Sequence, residues 1–172
     1  EKNNVIDYLS YPVRIYPVGR LDKDSEGLLL MTNDGAIVNG IMRARNRHEK
    51  EYQVEVNKET TPEFLKKMAS GVPILDTVTR PCRIQKTGLP IRPAEVRQLS
   101  RQGNRAELSI TIHEGRNRQI RRMCEALGYR VTKLKRVRIM NIHLKDLKTG
   151  EYRPLTEKEL AELKKQIGEE KR

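Results

Sequence analysis

The sequence predicts an α+β fold, with flanking helices on a mixed, largely antiparallel sheet. Segments with the period of a strand and segments with the period of a helix follow one another without regular βαβ alternation. The chain has 172 residues and 36% hydrophobic content, which is enough for one core. We therefore expect a single domain over residues 1–172.

The first third of the chain predicts short elements joined by turns. Apolar residues at helical spacing or in short runs define these elements. They are a helix at 5–9, strands at 14–18 and 28–32, and a helix at 36–44. The strong turn signal Asn33-Asp34-Gly35 separates the second strand from the second helix.

The middle of the chain predicts a half-buried strand, a capped helix and a hairpin. Tyr52, Val54 and Val56 alternate with polar residues, as one face of a strand does. Thr61 is placed as an N-cap, and Gly71 ends the helix. The segments that follow are short strands at 72–75 and 80–84, a loop at 86–93, and hairpin strands at 96–99 and 106–112.

The last third predicts a basic strand between two helices. Asn117 can cap a helix over 118–127, which Gly128 closes. Residues 131–144 form a long basic strand with a bulge, and Thr156-Glu157-Lys158-Glu159 is a capping box for the last helix. That helix places Leu160, Leu163 and Ile167 on one face.

The positive charge of the chain is local. Of the net charge of +12, residues 116–138 carry +8, from nine Lys or Arg against the single acid Glu125. A concentration of this kind indicates a polyanion-binding surface, and the alternative is a solvated basic face.

Several function classes lack support. No GxxxxGK[ST] loop and no GxGxxG after a strand is present, so nucleotide hydrolysis and dinucleotide redox chemistry are not indicated. The cysteines form no CxxC pair and the histidines no HExxH motif, so no metal site is expected. No apolar stretch reaches the roughly 18 residues of a membrane span, and the polar start carries no secretory signal. Two lone thiols suit a reducing cytosol, so we expect a cytoplasmic protein.

The segment Gly19-Arg20-Leu21-Asp22 offers a candidate catalytic carboxylate. An arginine close to Asp22 would keep that carboxylate ionised and hold it in place as a nucleophile or base. Arg20 is near in the sequence, whereas Arg118 or Arg121 could reach it only through the fold. The alternative is that Asp22 only forms a turn, and spacing alone does not choose between Asp22 and Asp24.

The helix at 118–127 has an apolar stripe and a basic face. The stripe of Ile120, Met123, Cys124 and Leu127 is expected to face the core. Arg118, Arg121, Arg122 and Glu125 share the other face, which suits a phosphate or carboxylate partner. The plainer alternative is an exposed helix with an Arg121–Glu125 ion pair.

Three ordered motifs resemble those of pseudouridine synthases of the RsuA family. The first is Gly19-Arg20-Leu21-Asp22 with the Asp24–Gly35 segment behind it, and the second is Lys50-Glu51-Tyr52. The third is the segment from Gly115 to Met123. The segments 11–18, 43–46 and 138–141 bring the chain closest to the RluF-type branch, which acts on large-subunit ribosomal RNA.

The resemblance implies roles for individual residues. It selects Asp22 over Asp24 as the essential aspartate, and it makes Tyr52 a ring that stacks on the target base rather than a plain core tyrosine. Arg121 would pair with Asp22, with Arg118 as the alternative. Substrate-binding residues would be Arg20, Arg116, Arg118, Ile120, Arg122, Lys133, Arg136 and Arg138.

The implied reaction converts a uridine of 23S ribosomal RNA into pseudouridine, without metal or organic cofactor. The N1–C1′ bond breaks, the uracil rotates, and C5 bonds to C1′, with Asp22 as nucleophile at the sugar or base at C2′. The expected partner is ribosomal RNA, and the protein is expected to be a monomer that contacts no membrane.

Two further expectations concern the chain as a whole. Relatives begin with an S4-type RNA-binding domain and a strand with a Lys-Pro-x-Gly motif, so the sequence is expected to be a catalytic domain shortened at its N-terminus. The competing hypotheses are a non-catalytic ribosomal-RNA-binding or ribosome-assembly module and a structural protein of the ribosome.

Overall fold

The structure is a computed structural model. It describes residues 5–43, 48–74, 93–102, 105–113 and 118–169. The helices are α1 (Val5–Leu9), α2 (Gly35–Arg43), α3 (Pro62–Ser70), α4 (Gln119–Ala126) and α5 (Glu157–Glu169). The strands are β1 (Tyr16–Val18), β2 (Glu26–Gly27), β3 (Leu30–Thr32), β4 (Lys50–Val56), β5 (Pro93–Gln102), β6 (Arg105–Ile112), β7 (Val131–Ile139) and β8 (Ile142–His143).

The main sheet is mixed and largely antiparallel, which confirms the predicted α+β class. Its strand order is β2-β7-β4-β6-β5, and β8 folds back on β7. Only β2 runs parallel to its neighbour, with Glu26 opposite Lys135 and Gly27 opposite Arg136. Strands β1 and β3 form a separate antiparallel pair.

Strand β4 lies in the middle of the main sheet and connects the core to the basic strand. Tyr52 is opposite Ile110 on β6 and opposite Arg136 on β7. Lys50 is opposite Ile112 and Ile139, and a register shift against β7 lies between Glu51 and Tyr52. Because side chains alternate along a strand, Lys50 and Tyr52 share the face that continues into the buried Val54 and Val56.

Two hydrophobic clusters hold the fold together. The first joins α3 and α4 to the β4–β6–β7 part of the sheet and includes Phe64, Met68, Leu108, Ile120 and Met123. The second joins β1, β3, α2 and α5 to the end of β7 and includes Val18, Leu30, Ile41, Leu163 and Ile167. The loop between β1 and β2 is flanked on both sides by residues of the second cluster, Val18 and Leu28.

The predicted caps at Thr61 and Thr156 are confirmed, whereas Asn117, the predicted cap of α4, lies outside the described residues and Arg118 occupies the N-cap position there. The Phe64 amide donates to the Thr61 hydroxyl at 3.1 Å, and Pro62 occupies the first turn of α3. At α5 the Glu159 amide donates to the Thr156 hydroxyl, while the Thr156 amide donates to the Glu159 carboxylate.

Three strand predictions need correction. The single strand expected at 131–144 is a hairpin, because Met140 adopts φ +53° and turns the chain between β7 and β8. Residues 72–74 form no strand, and the short β2 was not predicted because two residues carry no periodic signal. The predicted strand at 80–84 and the 103–104 turn lie outside the described residues. In the part of the chain that is described, no helix has both the length and the apolar character needed to span a bilayer.

Candidate active site

The loop from Gly19 to Ser25 carries Asp22. Gly19 begins the loop with φ +76°, and the Ser25 amide closes a turn by donating to the Asp22 carbonyl at 2.9 Å. The loop ends where β2 joins the sheet through Gly27, whose φ of +119° and close approach to the Arg136 backbone leave no room for a Cβ atom. The sheet therefore fixes the end of the loop that carries the carboxylate.

A cavity of about 360 Å³ opens beside Asp22. Side chains from the loop, the sheet and α4 converge on it, and they include both apolar and charged groups. Its walls are formed by Arg20, Leu21, Asp22, Ser25, Lys50, Tyr52, Ile112, Arg118, Gln119, Ile120, Leu134 and Arg136. A cavity of this size is within the range of ordinary small-molecule sites.

Arg118 is the cation next to Asp22. Its guanidinium lies 3.9 Å from the Asp22 carboxylate and makes two 3.0 Å hydrogen bonds to both oxygens of Asp24. This bidentate pair is the main reason that the pKa of Asp24 falls to about 2. Arg118 also has φ +54° at the N-terminus of α4, a conformation that costs a non-glycine residue about 1–2 kcal/mol.

Arg121, one turn further along α4, holds the loop rather than Asp22. Its guanidinium donates to the Asp24 carbonyl at 2.7 Å and to the Ser25 hydroxyl at 3.2 Å, and lies 3.5 Å from the Asp24 carboxylate. The residue is 8% exposed and does not line the cavity. The expected Arg121–Asp22 pair is therefore not formed, and Arg118, the alternative, takes that position. The Arg121–Glu125 ion pair is not formed either, because Arg121 points into the protein.

Apolar side chains form the opposite walls of the cavity. Tyr52 is partly buried, packs against the first hydrophobic cluster and also lines the cavity. Ile120 is 3% exposed and Leu134 is 7% exposed, and both are cavity residues. A flat base could lie against this wall while its sugar faces Asp22.

The family model for RNA pseudouridylate synthase matches residues 2–126. The chain belongs to the RNA pseudouridine synthase family. A dual-specificity RNA pseudouridine synthase RluF from Salmonella typhi is 49% identical over 97% of this chain and 52% of its own length. Ribosomal large subunit pseudouridine synthase B of Bacillus subtilis is 38% identical over 91% of this chain and 60% of its length.

A solved structure gives the same result for the fold. The crystal structure of a pseudouridylate synthase superposes with a TM-score of 0.75 at 30% identity, covering 92% of this chain and 64% of that one. Together with the sequence matches, this places the chain in the RluF-type branch of the family. The chain spans about half the length of the curated RluF relatives that it matches.

Within this pseudouridine synthase domain, four of the eight predicted substrate-binding residues meet at the cavity. Arg20, Arg118, Ile120 and Arg136 line it. Lys133 is exposed on β7 and Arg122 is partly buried on α4, and neither is a cavity residue. Arg116 lies outside the described residues. Where the structure describes the chain, no group of three or more His, Cys, Asp or Glu could hold a metal ion.

The prediction that Arg138 binds substrate conflicts with its contacts. Its Nε donates to Glu51 at 3.1 Å, one terminal nitrogen donates to Glu49 at 3.0 Å, and the other donates to the Met140 carbonyl at 2.8 Å. All three nitrogens of the guanidinium are thus engaged within the protein. Arg138 holds the β7–β8 turn against β4, and it is not positioned to contact a phosphate.

Sequence reasoning missed Lys50 as a cavity residue. Its signal was present, because Lys50 precedes Tyr52 by two residues and a strand places such residues on one face. Gln119 and Ile112 also line the cavity, although nothing in their sequence context distinguishes them from ordinary core positions. Only the packing of α4 against the end of β6 brings these two together.

Proposed function

We propose that this chain isomerises uridine to pseudouridine in RNA, with a uridine of large-subunit (23S) ribosomal RNA as its target. The observation that carries the proposal is the Asp22 carboxylate in the wall of the cavity, 3.9 Å from the Arg118 guanidinium and across from Tyr52. Membership of the pseudouridine synthase family supports the same reaction.

A carboxylate in this position favours an enzyme over a binding module. The remaining charges around the cavity are positive, from Arg20, Lys50, Arg118 and Arg136. A protein that only held the RNA backbone would gain nothing from Asp22, because a carboxylate repels phosphate. The non-catalytic ribosomal-RNA-binding module therefore remains only the second candidate.

The geometry supports a separate role in the reaction for each of several cavity residues. The target nucleotide leaves its stack to enter the cavity, as in other enzymes that act on a base. The base lies on Tyr52 and Ile120, and Asp22 attacks C1′ or removes a proton from C2′ as the N1–C1′ bond breaks. Arg118 places its positive charge 3.9 Å from the Asp22 carboxylate, so Arg118 acts as a positioning residue. The uracil then rotates, and C5 bonds to C1′.

The substrate is proposed from the relatives. The Bacillus subtilis relative carries the name of a large-subunit enzyme, and the Salmonella typhi relative is named as dual-specificity. We propose ribosomal RNA as the main partner in the cytoplasm and a second RNA class as an additional substrate. Cellular RNA labelled with tritium at C5 of uridine can be fractionated by size. Tritium release measured on each fraction then distinguishes the two RNA classes in one assay.

The first prediction is that Asp22→Asn abolishes tritium release from RNA labelled at C5 of uridine. The amide can neither attack C1′ nor take a proton, and losses of a nucleophile of this kind reach about 10⁴-fold or more. RNA affinity, measured by filter binding, stays within about threefold because one neutral group replaces one repulsive charge.

Asp146→Asn is the matched control, because Asp146 is an exposed aspartate after β8 and does not line the cavity. This variant is expected to release tritium at the wild-type rate. Full activity of Asp22→Asn would contradict the proposed catalytic role of Asp22. Binding without tritium release by the wild-type chain would favour the binding module.

A further inference from the structure

Within the part of the chain that the structure describes, two cationic side chains in the cavity have no anionic partner. Lys50 on β4 and Arg136 on β7 both line the cavity and are called the cation pair below. Among the described residues, no carboxylate lies within 4.0 Å of the Lys50 amine. Arg136 is 4% exposed and donates from Nε to the Leu28 carbonyl at 2.8 Å, but its buried Nη2 has no hydrogen-bond partner.

Such an arrangement is unfavourable in the empty site. Desolvation first, and the nearby charge of Arg136 second, lower the pKa of Lys50 to about 8. A buried guanidinium nitrogen without an acceptor carries a similar penalty. A fold that keeps two such groups side by side indicates that an acceptor of negative character arrives with the substrate.

We propose that the cation pair stabilises the negative charge on the uracil while the base is detached from C1′. This inference rests on the proposed isomerisation, and it makes Lys50 a further catalytic residue. When the N1–C1′ bond breaks, its electron pair stays on the uracil, where it is shared by N1, O2 and O4. Lys50 and Arg136 donate hydrogen bonds to that anion, as an oxyanion hole does.

The proton balance of the step leaves Lys50 protonated throughout. After rotation, an electron pair of the uracil anion at C5 forms the new bond to C1′, while the Asp22 carboxylate leaves C1′ or, where it acted as the base, returns its proton to C2′. The C5 proton then leaves to water, and N1 takes a proton from water, so that substrate and product differ only in connectivity. The Lys50 ammonium is needed only while the charge exists, which is the condition for lowering the barrier rather than tightening ground-state binding.

The position of the cation pair favours the base over a phosphate. Lys50 is opposite Ile112 in the sheet, and Ile112, Ile120 and Leu134 form the neighbouring walls. A phosphate placed there would lie among apolar side chains. The cavity cation suited to the RNA backbone is Arg20, which is exposed.

The test compares Lys50→Met and Lys50→Arg with wild type at saturating RNA, using tritium release. Loss of one donor to a developing anion costs about 10²–10³-fold in kcat, so Lys50→Met is expected to lose this much. Lys50→Arg keeps a cation and is expected to retain at least about a tenth of the rate. RNA affinity is expected to stay within about threefold for both variants.

The pH profile gives a second readout. The charged and titratable groups around Lys50 are Arg20, Asp22, Tyr52, Arg118 and Arg136. Since the protonated amine is the active form, kcat/KM of wild type is expected to fall as pH rises above about 8. In Lys50→Arg, kcat/KM is expected not to fall in this pH range, because a guanidinium does not deprotonate near pH 8.

Control measurements distinguish a wrong role for Lys50 from a wrong proposed function. Lys67→Met changes an exposed lysine of α3 and is expected to leave kcat unchanged. The melting temperature of Lys50→Met is expected to equal or exceed that of the wild type, because the substitution removes a desolvated charge. If the wild type is active and Lys50→Met is equally active, the proposed role of Lys50 is wrong while the proposed function stands. The same conclusion follows if Lys50→Met loses only RNA affinity. A wild type that releases no tritium would overturn the proposed function and this inference with it.

Discussion

Arg118 and Arg121 lie one helical turn apart, yet they serve different groups. Arg118 is exposed and has its guanidinium between the carboxylates of Asp22 and Asp24. Arg121 is buried and donates its shortest hydrogen bond to the Asp24 main chain. Because the N-terminal residue of α4 departs from helical geometry, spacing along an ideal helix could not assign these contacts.

Replacing each arginine by alanine is predicted to have a different effect, on kcat for Arg118 and on stability for Arg121. Arg118→Ala is expected to lower kcat by about tenfold or more while the melting temperature stays nearly constant, since exposed ion pairs contribute about 0–1 kcal/mol. Arg121→Ala is expected to lower the free energy of unfolding by about 1–3 kcal/mol, because the hydrogen bonds of the buried Arg121 guanidinium to the Asp24 carbonyl and the Ser25 hydroxyl are lost. Tritium release and thermal melting measure the two effects. Equal losses of stability would contradict this assignment.

At the scale of elements, the two-residue strand β2 determines where the Asp22 loop ends. It pairs in parallel with β7, and the Leu28 amide continues the contact by donating to the Arg136 carbonyl at 2.8 Å. Arg136 returns a hydrogen bond from its Nε to the Leu28 carbonyl. The loop carboxylate and the cation pair are therefore joined through one short stretch of backbone.

Gly27→Ala is predicted to disrupt this junction. The new Cβ would overlap the backbone of Arg136, and φ +119° is strained for alanine, so the free energy of unfolding is expected to fall by about 3 kcal/mol or more. Gly35→Ala, at the start of α2 with open space around it, is the matched control. It is expected to change stability by less than about 1 kcal/mol. Urea unfolding of both variants tests this, and equal midpoints would contradict the prediction.

At the scale of the whole molecule, the cavity and some exposed basic side chains occupy different parts of the same sheet. The cavity faces Lys50, Tyr52 and Arg136, whereas other basic side chains of β7, such as Lys133, are exposed. A long RNA can therefore be held by the exposed cations while one nucleotide enters the cavity. This separation explains why a net charge of +12 is compatible with a partly apolar site.

Lys133→Ala is predicted to weaken RNA binding uniformly without changing kcat at saturating RNA. Loss of one phosphate contact reduces the slope of log K against log salt by about 0.7 for single-stranded RNA. Binding measured at several salt concentrations gives the slope, and tritium release gives kcat. A fall in kcat with an unchanged slope would place Lys133 in the catalytic step instead.

Much of the local structure could be predicted because its causes are local. The caps at Thr61 and Thr156, the alternation through Tyr52 and the apolar stripe of α4 each depend on neighbours within a few residues. The β7–β8 turn at Met140 was missed because the residue has no turn preference. Its φ of +53° is held by the Arg138 contacts and by the hydrogen bond from its amide to the Glu49 carbonyl.

The sequence by itself determined the fold class and the family motifs, because the order of motifs and the periodicity of apolar residues can be read along the chain, and the resemblance to the family proposed Asp22 as the essential aspartate. Only the tertiary structure decided which arginine lies beside Asp22, that Arg138 is occupied within the protein, and that Lys50 joins Arg136 in the cavity. These are contacts between segments far apart in the chain, and their geometry depends on how α4 and β7 pack against the loop that ends at Gly27.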